Sequence, residues 1–125
     1  MPKEVERKFL AKPGFEFPEG CRIISTYHIS QLYISVGYEE VRVRKITNLK
    51  GLHETFYLTI KRGEGLEREE IEYEIDEETY QQCVEFSIHE PLHKTRYTVV
   101  YDGRTIIYDL FENPKARVLE IEFND

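Results

Sequence analysis

Glu4-Val5-Glu6-Arg7-Lys8 places two carboxylates and an amine at alternate positions, and alternate positions on a strand share one face. The pattern recurs along the 125-residue chain: Arg42 and Arg44, Lys61, Arg68 with Glu70, Glu72 and Glu74, Lys94 and Arg96, Asp109, and Glu120 with Glu122. The intervening positions are apolar, among them Val41, Val43, Leu58, Ile60, Ile71, Tyr97, Val99, Tyr108, Leu110, Leu119 and Ile121. One face is therefore almost wholly ionisable, with both signs grouped in pairs. Residues two apart on a strand have Cα atoms roughly 6.5–7 Å apart. If the terminal strands are neighbours, Glu4, Glu6, Glu120 and Glu122 converge. Such a cluster repels itself unless a cation sits in it, and an all-carboxylate set points to Mg²⁺ or Mn²⁺ rather than Zn²⁺. Arginine forks clamp phosphate oxygens at two points and lysines add point charges. A metal and a row of cations acting on a polyphosphate is the arrangement of phosphoryl transfer, where positioning and charge neutralisation supply most of the catalysis. The plainer reading is a solvated strand face laced with ion pairs. It serves for either carboxylate pair alone and accounts poorly for both pairs facing one basic set.

Other chemistries lack their residues. There is no Walker loop, and Gly63-Glu64-Gly65 is too short to cradle phosphate. His28, His53, His89 and His93 are scattered and form no ligand motif. Cys21 and Cys83 have neither metal-like spacing nor a nucleophile motif, and read as free thiols of a cytosolic protein. A net charge of −7 argues against non-specific binding to nucleic acid or an anionic membrane. No apolar run has membrane-spanning length and no signal-peptide pattern opens the chain, so a soluble, cytoplasmic protein is expected.

The elements that must position these residues follow from the alternation. It predicts strands at residues 3–10, 27–34, 41–46, 55–61, 68–75, 94–101, 105–111 and 118–123, with Asp102-Gly103 as a hairpin turn. Asp76 reads as the N-cap of a helix with Tyr80, Cys83 and Val84 on its apolar stripe, ending near Ser87. The expectation is a single domain over residues 1–125, mainly β, with eight antiparallel strands and few helices. Two architectures fit: an open sheet with its charged face in water, or a closed barrel with the charges inside. An eight-stranded barrel has room for side chains or one small ligand. A dry charged lumen would cost several kcal/mol per ion, so the closed form must be wet, metal-bound and ligand-filled.

Glu4-x-Glu6-x-Lys8 resembles the ExExK signature of the CYTH domain superfamily, the triphosphate tunnel metalloenzymes. The resemblance continues in order through Val41-Arg42-Val43-Arg44, Tyr57-Leu58-Thr59-Ile60-Lys61, Arg68-x-Glu70-x-Glu72, Lys94-Thr95-Arg96-Tyr97, Tyr108-Asp109-x-Phe111 and Leu119-Glu120-Ile121-Glu122. It implies an eight-stranded antiparallel β-barrel tunnel that hydrolyses a triphosphate with Mg²⁺ or Mn²⁺. It puts metal ligands at Glu4, Glu6, Glu120 and Glu122, with Asp109 close by. Phosphate ligands fall at Lys8, Arg42, Arg44, Lys61, Lys94 and Arg96, with Arg68 as a seventh. Glu70 and Glu72 would position metal or water. Lys8, beside Glu4 and Glu6, is expected to stay protonated and act through its charge. With no nucleoside pocket evident in the sequence, inorganic triphosphate is the first substrate and thiamine triphosphate the second. A class IV-type adenylate cyclase and a non-catalytic polyphosphate-binding module are the alternatives. Members commonly continue past the last Glu-x-Glu strand, whereas this sequence stops at Asp125. The expectation is a shortened C-terminus whose missing cover is supplied by a homodimer, with no nucleic-acid or membrane partner.

Overall fold

In a computed structural model the protein is described over residues 3–12, 14–65, 67–112 and 115–122, the side chains of residues 3–6 and 122 excepted. Its strands are β1 (Lys3–Leu10), β2 (Arg22–Ser35), β3 (Glu39–Asn48), β4 (Glu54–Arg62), β5 (Glu67–Ile75), β6 (Leu92–Tyr101), β7 (Arg104–Glu112) and β8 (Lys115–Glu122), with one helix, α1 (Glu77–Val84), after β5. All pair antiparallel in the order β1-β5-β4-β3-β2-β6-β7-β8, and β1 pairs back onto β8 to close a barrel. The charged face is therefore a lumen and not an open sheet surface.

The apolar face packs outward. On the outside of β2, β3 and β4, Leu32, Val43 and Phe56 form a buried cluster with Tyr80 of α1, flanked by Ile34, Leu58, Ile75, Cys83 and Val84. The Phe56 and Tyr80 rings lie 5.0 Å apart. The helix starts where the sequence places it. Asp76 Oδ1 accepts from the Thr79 amide at 2.7 Å, and Glu77 and Glu78 occupy the first turn, where acids oppose the positive end of the helix dipole. Elsewhere the loop after β1 covers the wall, with Phe15 and Phe17 packed on Tyr108 at 6.1 and 5.2 Å.

Local chemistry sets the connections. Asp102 and Gly103 both take positive φ, 51° and 72°, the pair of left-handed conformations that matches a two-residue turn to strand twist. Strand β2 begins five residues before its clean alternation, because a bulge between Ile23 and Ser25 interrupts the period. The closing strand is shared between two neighbours. Lys3–Val5 pair with β5, and Glu6–Leu10 pair with β8. Only three residue pairs join β1 to β5, whereas nine join β3 to β4. Beyond Glu69, β5 has no ladder partner on the β1 side among the described residues. The wall is thus thinnest beside Glu70 and Glu72. Among the described residues no helix is long and apolar enough to cross a membrane, and Cys21 and Cys83 are both free.

Candidate functional site

The lumen contains two chambers. The first, about 420 Å³, is lined by six cations (Lys8, Arg42, Arg44, Lys61, Lys94 and Arg96) and four acids (Glu70, Glu72, Asp109 and Glu120), with Gln31, Tyr33, Phe111 and Val118. All eight strands contribute, each through its inward parity, which is why pairs two apart in sequence arrive together. Arg42, Arg44, Lys61, Lys94 and Asp109 are all buried.

Asp109 organises one wall. Its two oxygens accept from Arg96 Nε and Nη2, both at 2.8 Å, and Lys94 Nζ lies 2.8 Å from Oδ2. Burial alone would raise the Asp109 carboxyl, but hydrogen bonds and charge from Arg96, then Lys94, hold it below its usual range. Lys94 is pushed down to about 7, chiefly by burial and then by Arg96, with Asp109 opposing both. Its ammonium also stands 5.1 Å over the Phe111 ring.

The opposite wall carries Arg44, whose Nη2 donates to Glu72 Oε2 at 2.9 Å, while Thr59 Oγ1 donates to the same oxygen at 2.9 Å. Burial, then Arg42 and Arg96, lower the Arg44 guanidinium to about 10. Arg44 Nε and Nη1 and Arg42 Nε are buried without a hydrogen-bond partner. Buried donors are ordinarily paired, so these three mark where an acceptor belongs.

Arg68 does not line this chamber. It faces Glu40 at the end of β3, with Arg68 Nη1 3.7 Å from Glu40 Oε1 and Arg42 Nη1 3.8 Å from Glu40 Oε2. Glu40 escapes a reading that starts the strand at Val41, although it keeps the parity of Arg42 and Arg44. Gln31 and Tyr33 were also missed. Gln31 Nε2 donates to the Tyr33 hydroxyl at 3.1 Å, and Gln31 Oε1 is buried without a partner. A search for ionisable residues passes over both.

The metal candidates lie on the closing strands. Glu6 is opposite Glu122 and Lys8 opposite Glu120 in the β1–β8 ladder, and Glu4 is opposite Arg68 across β1–β5. The terminal strands are thus neighbours, as convergence of the four carboxylates requires. The side chains of Glu4, Glu6 and Glu122 lie outside the described residues. Among those described, no three His, Cys, Asp or Glu side chains form a metal-holding group. The four glutamates would offer oxygen donors only, the chemistry of a hard divalent cation.

The second chamber, about 460 Å³, shares Arg44, Glu72 and Arg96 with the first. The rest of its lining is Tyr27, Ile29, Ile46, Asn48, His53, Thr55, Tyr57, Thr98 and Ile107. The sequence reading placed no organic pocket in this chain. It followed charges, and this wall has none of Lys, Arg, Asp or Glu. The histidines are less scattered than they look in sequence. His28 and His93 stack at 5.6 Å on the outer face, with Glu112 3.1 Å from His28 and Ser30 2.9 Å from His93.

No protein-family profile and no curated protein matches this chain. Solved structures do. A conserved hypothetical protein from Pyrococcus furiosus is 22% identical, with a TM-score of 0.72, over 98% of this chain and 79% of that one. The PH1012 protein of Pyrococcus horikoshii OT3 is 20% identical, with a TM-score of 0.72 and the same coverage. The inorganic triphosphatase NE1496 is 24% identical over 100% of this chain and 76% of its own, with a TM-score of 0.56. The chain folds as a CYTH-like domain. In this CYTH-like barrel the two chambers meet at a layer made by the Arg44–Glu72 pair and Arg96, so the tunnel is charged on one side of that layer and largely neutral on the other.

Proposed function

We propose that this CYTH-like domain binds the phosphate chain of a triphosphate in the first chamber and hydrolyses its terminal anhydride. Inorganic triphosphate is the minimal substrate. The observation that carries this reading is the convergence of six cations on one chamber in which Arg42 and Arg44 point buried, unpartnered donors inward. The fold likeness to the inorganic triphosphatase NE1496 supports it.

In this reading Arg42, Arg44 and Arg96 clamp phosphate oxygens, and Lys8, Lys61 and Lys94 neutralise the chain. Asp109 fixes the directions of Arg96 and Lys94. With both its oxygens engaged by cations, it serves as a positioning residue and leaves metal binding to Glu4, Glu6, Glu120 and Glu122. A Mg²⁺ or Mn²⁺ ion there would add charge neutralisation on the phosphate oxygens. Water attacks the terminal phosphorus, a new P–O bond forms, and the bridging P–O bond breaks with its electron pair leaving on diphosphate. Glu72, held by Arg44 and Thr59, and Glu70 beside it are the carboxylates that orient that water.

The test is phosphate release from inorganic triphosphate with and without Mg²⁺ or Mn²⁺. Metal-dependent release should fall by roughly two to three orders of magnitude in Glu6→Gln. Wild-type turnover in that variant refutes the metal assignment. Tight binding without release makes the protein a binding module, and cyclic AMP formed from ATP makes it a cyclase.

A further inference from the structure

The cationic stretch of the lumen is short, and both of its ends are marked. Along β3 the inward parity reads Glu40, Arg42, Arg44, Ile46 and Asn48. Neighbours on that face are roughly 6.5–7 Å apart along the strand, so only two consecutive levels of β3 present a cation. On one side the stretch ends at the layer common to both chambers. Past Arg44, Glu72 and Arg96 the second chamber is lined by no Lys, Arg, Asp or Glu, so a phosphate pushed there would lose water without gaining an opposite charge. On the other side the stretch ends at a carboxylate. Glu40 stands between two guanidiniums, with Oε1 3.7 Å from Arg68 Nη1 and Oε2 3.8 Å from Arg42 Nη1. Both separations are too long for hydrogen bonds. Glu40 therefore offsets the charge of both arginines without using their donors, and the Nε groups of Arg42 and Arg68 stay buried with no hydrogen-bond partner. An anion of the chain itself thus occupies the next place in the row after Arg42.

We propose that Glu40 sets the upper limit on phosphate-chain length, its carboxylate holding the position beside Arg42 and Arg68 that a fourth phosphate would take. This rests on the phosphate-binding reading of the first chamber and deepens it by naming which linear polyphosphates the chamber accepts. Attraction alone favours the more highly charged chain, so turning it away requires a repulsive group in its path. Glu40 is that group: a fourth phosphate meets a like charge, and the two guanidiniums that could receive it already have an anion between them. With the carboxylate neutralised, Arg68 and Arg42 become one further cationic position at this end of the barrel. Glu39 supplies the internal comparison. It carries the same charge one residue earlier, but it is exposed, lies on the opposite parity and pairs across the strands with Arg62.

The experiment measures dissociation constants for inorganic triphosphate and inorganic tetraphosphate by calorimetry, without added divalent metal so that turnover does not intrude. The proteins are the wild type, Glu40→Gln, Glu39→Gln and the double variant Glu40→Gln/Arg68→Ala. The readout is the preference for tetraphosphate over triphosphate, a ratio that a general loosening of Arg42 would not move. Glu40→Gln should raise this preference about tenfold, or about 1.4 kcal/mol. Glu39→Gln should leave it within about threefold of wild type, and removing Arg68 as well should return it to the wild-type value. An unchanged preference in Glu40→Gln, an equal rise in Glu39→Gln, or a rise that survives the loss of Arg68 overturns the proposal. Should Glu40→Gln not fold, Glu40→Asp, which keeps the charge and withdraws it by one methylene, decides by a shift of the same ratio in the same direction. Failure of the wild type to bind inorganic triphosphate at all sinks the phosphate reading itself, which separates the two failures.

Discussion

The two chambers have nearly equal volumes and opposite chemistry, although β2 to β7 contribute to both. On β3, Arg42 and Arg44 face the first chamber while Ile46 and Asn48, on the same parity, face the second. On β6, Lys94 lines the first, Thr98 the second, and Arg96 between them lines both. Strand parity decides only whether a residue points into the lumen. Its level along the strand decides which chemistry it joins. The barrel therefore separates a charge-handling half from a half built for shape, with one cationic layer common to both.

The largest expected contrast comes from that layer. Arg44→Ala should lower kcat/KM for inorganic triphosphate by about two to three orders of magnitude, as loss of a preorganised contact to transition-state charge does. Ile46→Ala, one inward step along the same strand, should change it by less than about threefold, that is by well under 1 kcal/mol. Steady-state kinetics on the two variants would break the comparison if Ile46→Ala proved the more damaging.

Stability should divide the same way. Asp109→Ala leaves buried Lys94 and half-buried Arg96 without their carboxylate, and breaking such a buried arrangement costs about 3–5 kcal/mol, readable as a lower urea midpoint. Truncating half-buried Ile107 at the next inward position should cost clearly less. A comparable loss in both would mean that the charged wall is not held by its own ion pairs.

Lys94 sharpens the contrast through pH. The unfolded chain holds its proton up to about its ordinary 10.5, whereas the fold holds it only up to about 7. The unfolded state thus binds more protons between those values, and stability rises with pH across that window as far as this group is concerned. Chemical denaturation at pH 7 and pH 9 should show that rise in wild type and a flatter response in Lys94→Met. An unchanged slope would place the lysine in water. The smallest effect belongs outside the tunnel. Asp76→Ala removes the helix cap and should lower the urea midpoint only slightly, with no change in triphosphate affinity. A changed affinity would couple α1 to the lumen.

Much of this architecture was legible because alternation is a local signal. It placed Arg42, Arg44, Lys61, Lys94, Arg96 and Asp109 on one face, and the Asp76 cap and Asp102-Gly103 turn announce themselves by residue type. Closure was legible only in the ordered family motifs and not in the alternation, because Glu6 meeting Glu122 is a pairing of the two chain ends that no local pattern encodes. The early start of β2 was hidden by its bulge. The second chamber was hidden for a different reason. Along β2 the inward Tyr27, Ile29, Gln31 and Tyr33 alternate with His28, Ser30, Leu32 and Ile34, and neither set is charged, so hydropathy cannot tell lumen from outer wall. Arg68 shows the converse limit: its parity is right, yet its position near the barrel end pairs it with Glu40 and leaves it outside the chamber lining.

The most direct test of the central claim is a calorimetric titration of inorganic triphosphate into wild type and Arg44→Ala. A charged chamber acting as a phosphate site predicts one molecule bound per chain and about a hundredfold weaker binding, near 2.7 kcal/mol, in the variant. Absence of binding to the wild type, or equal binding to both proteins, would contradict it.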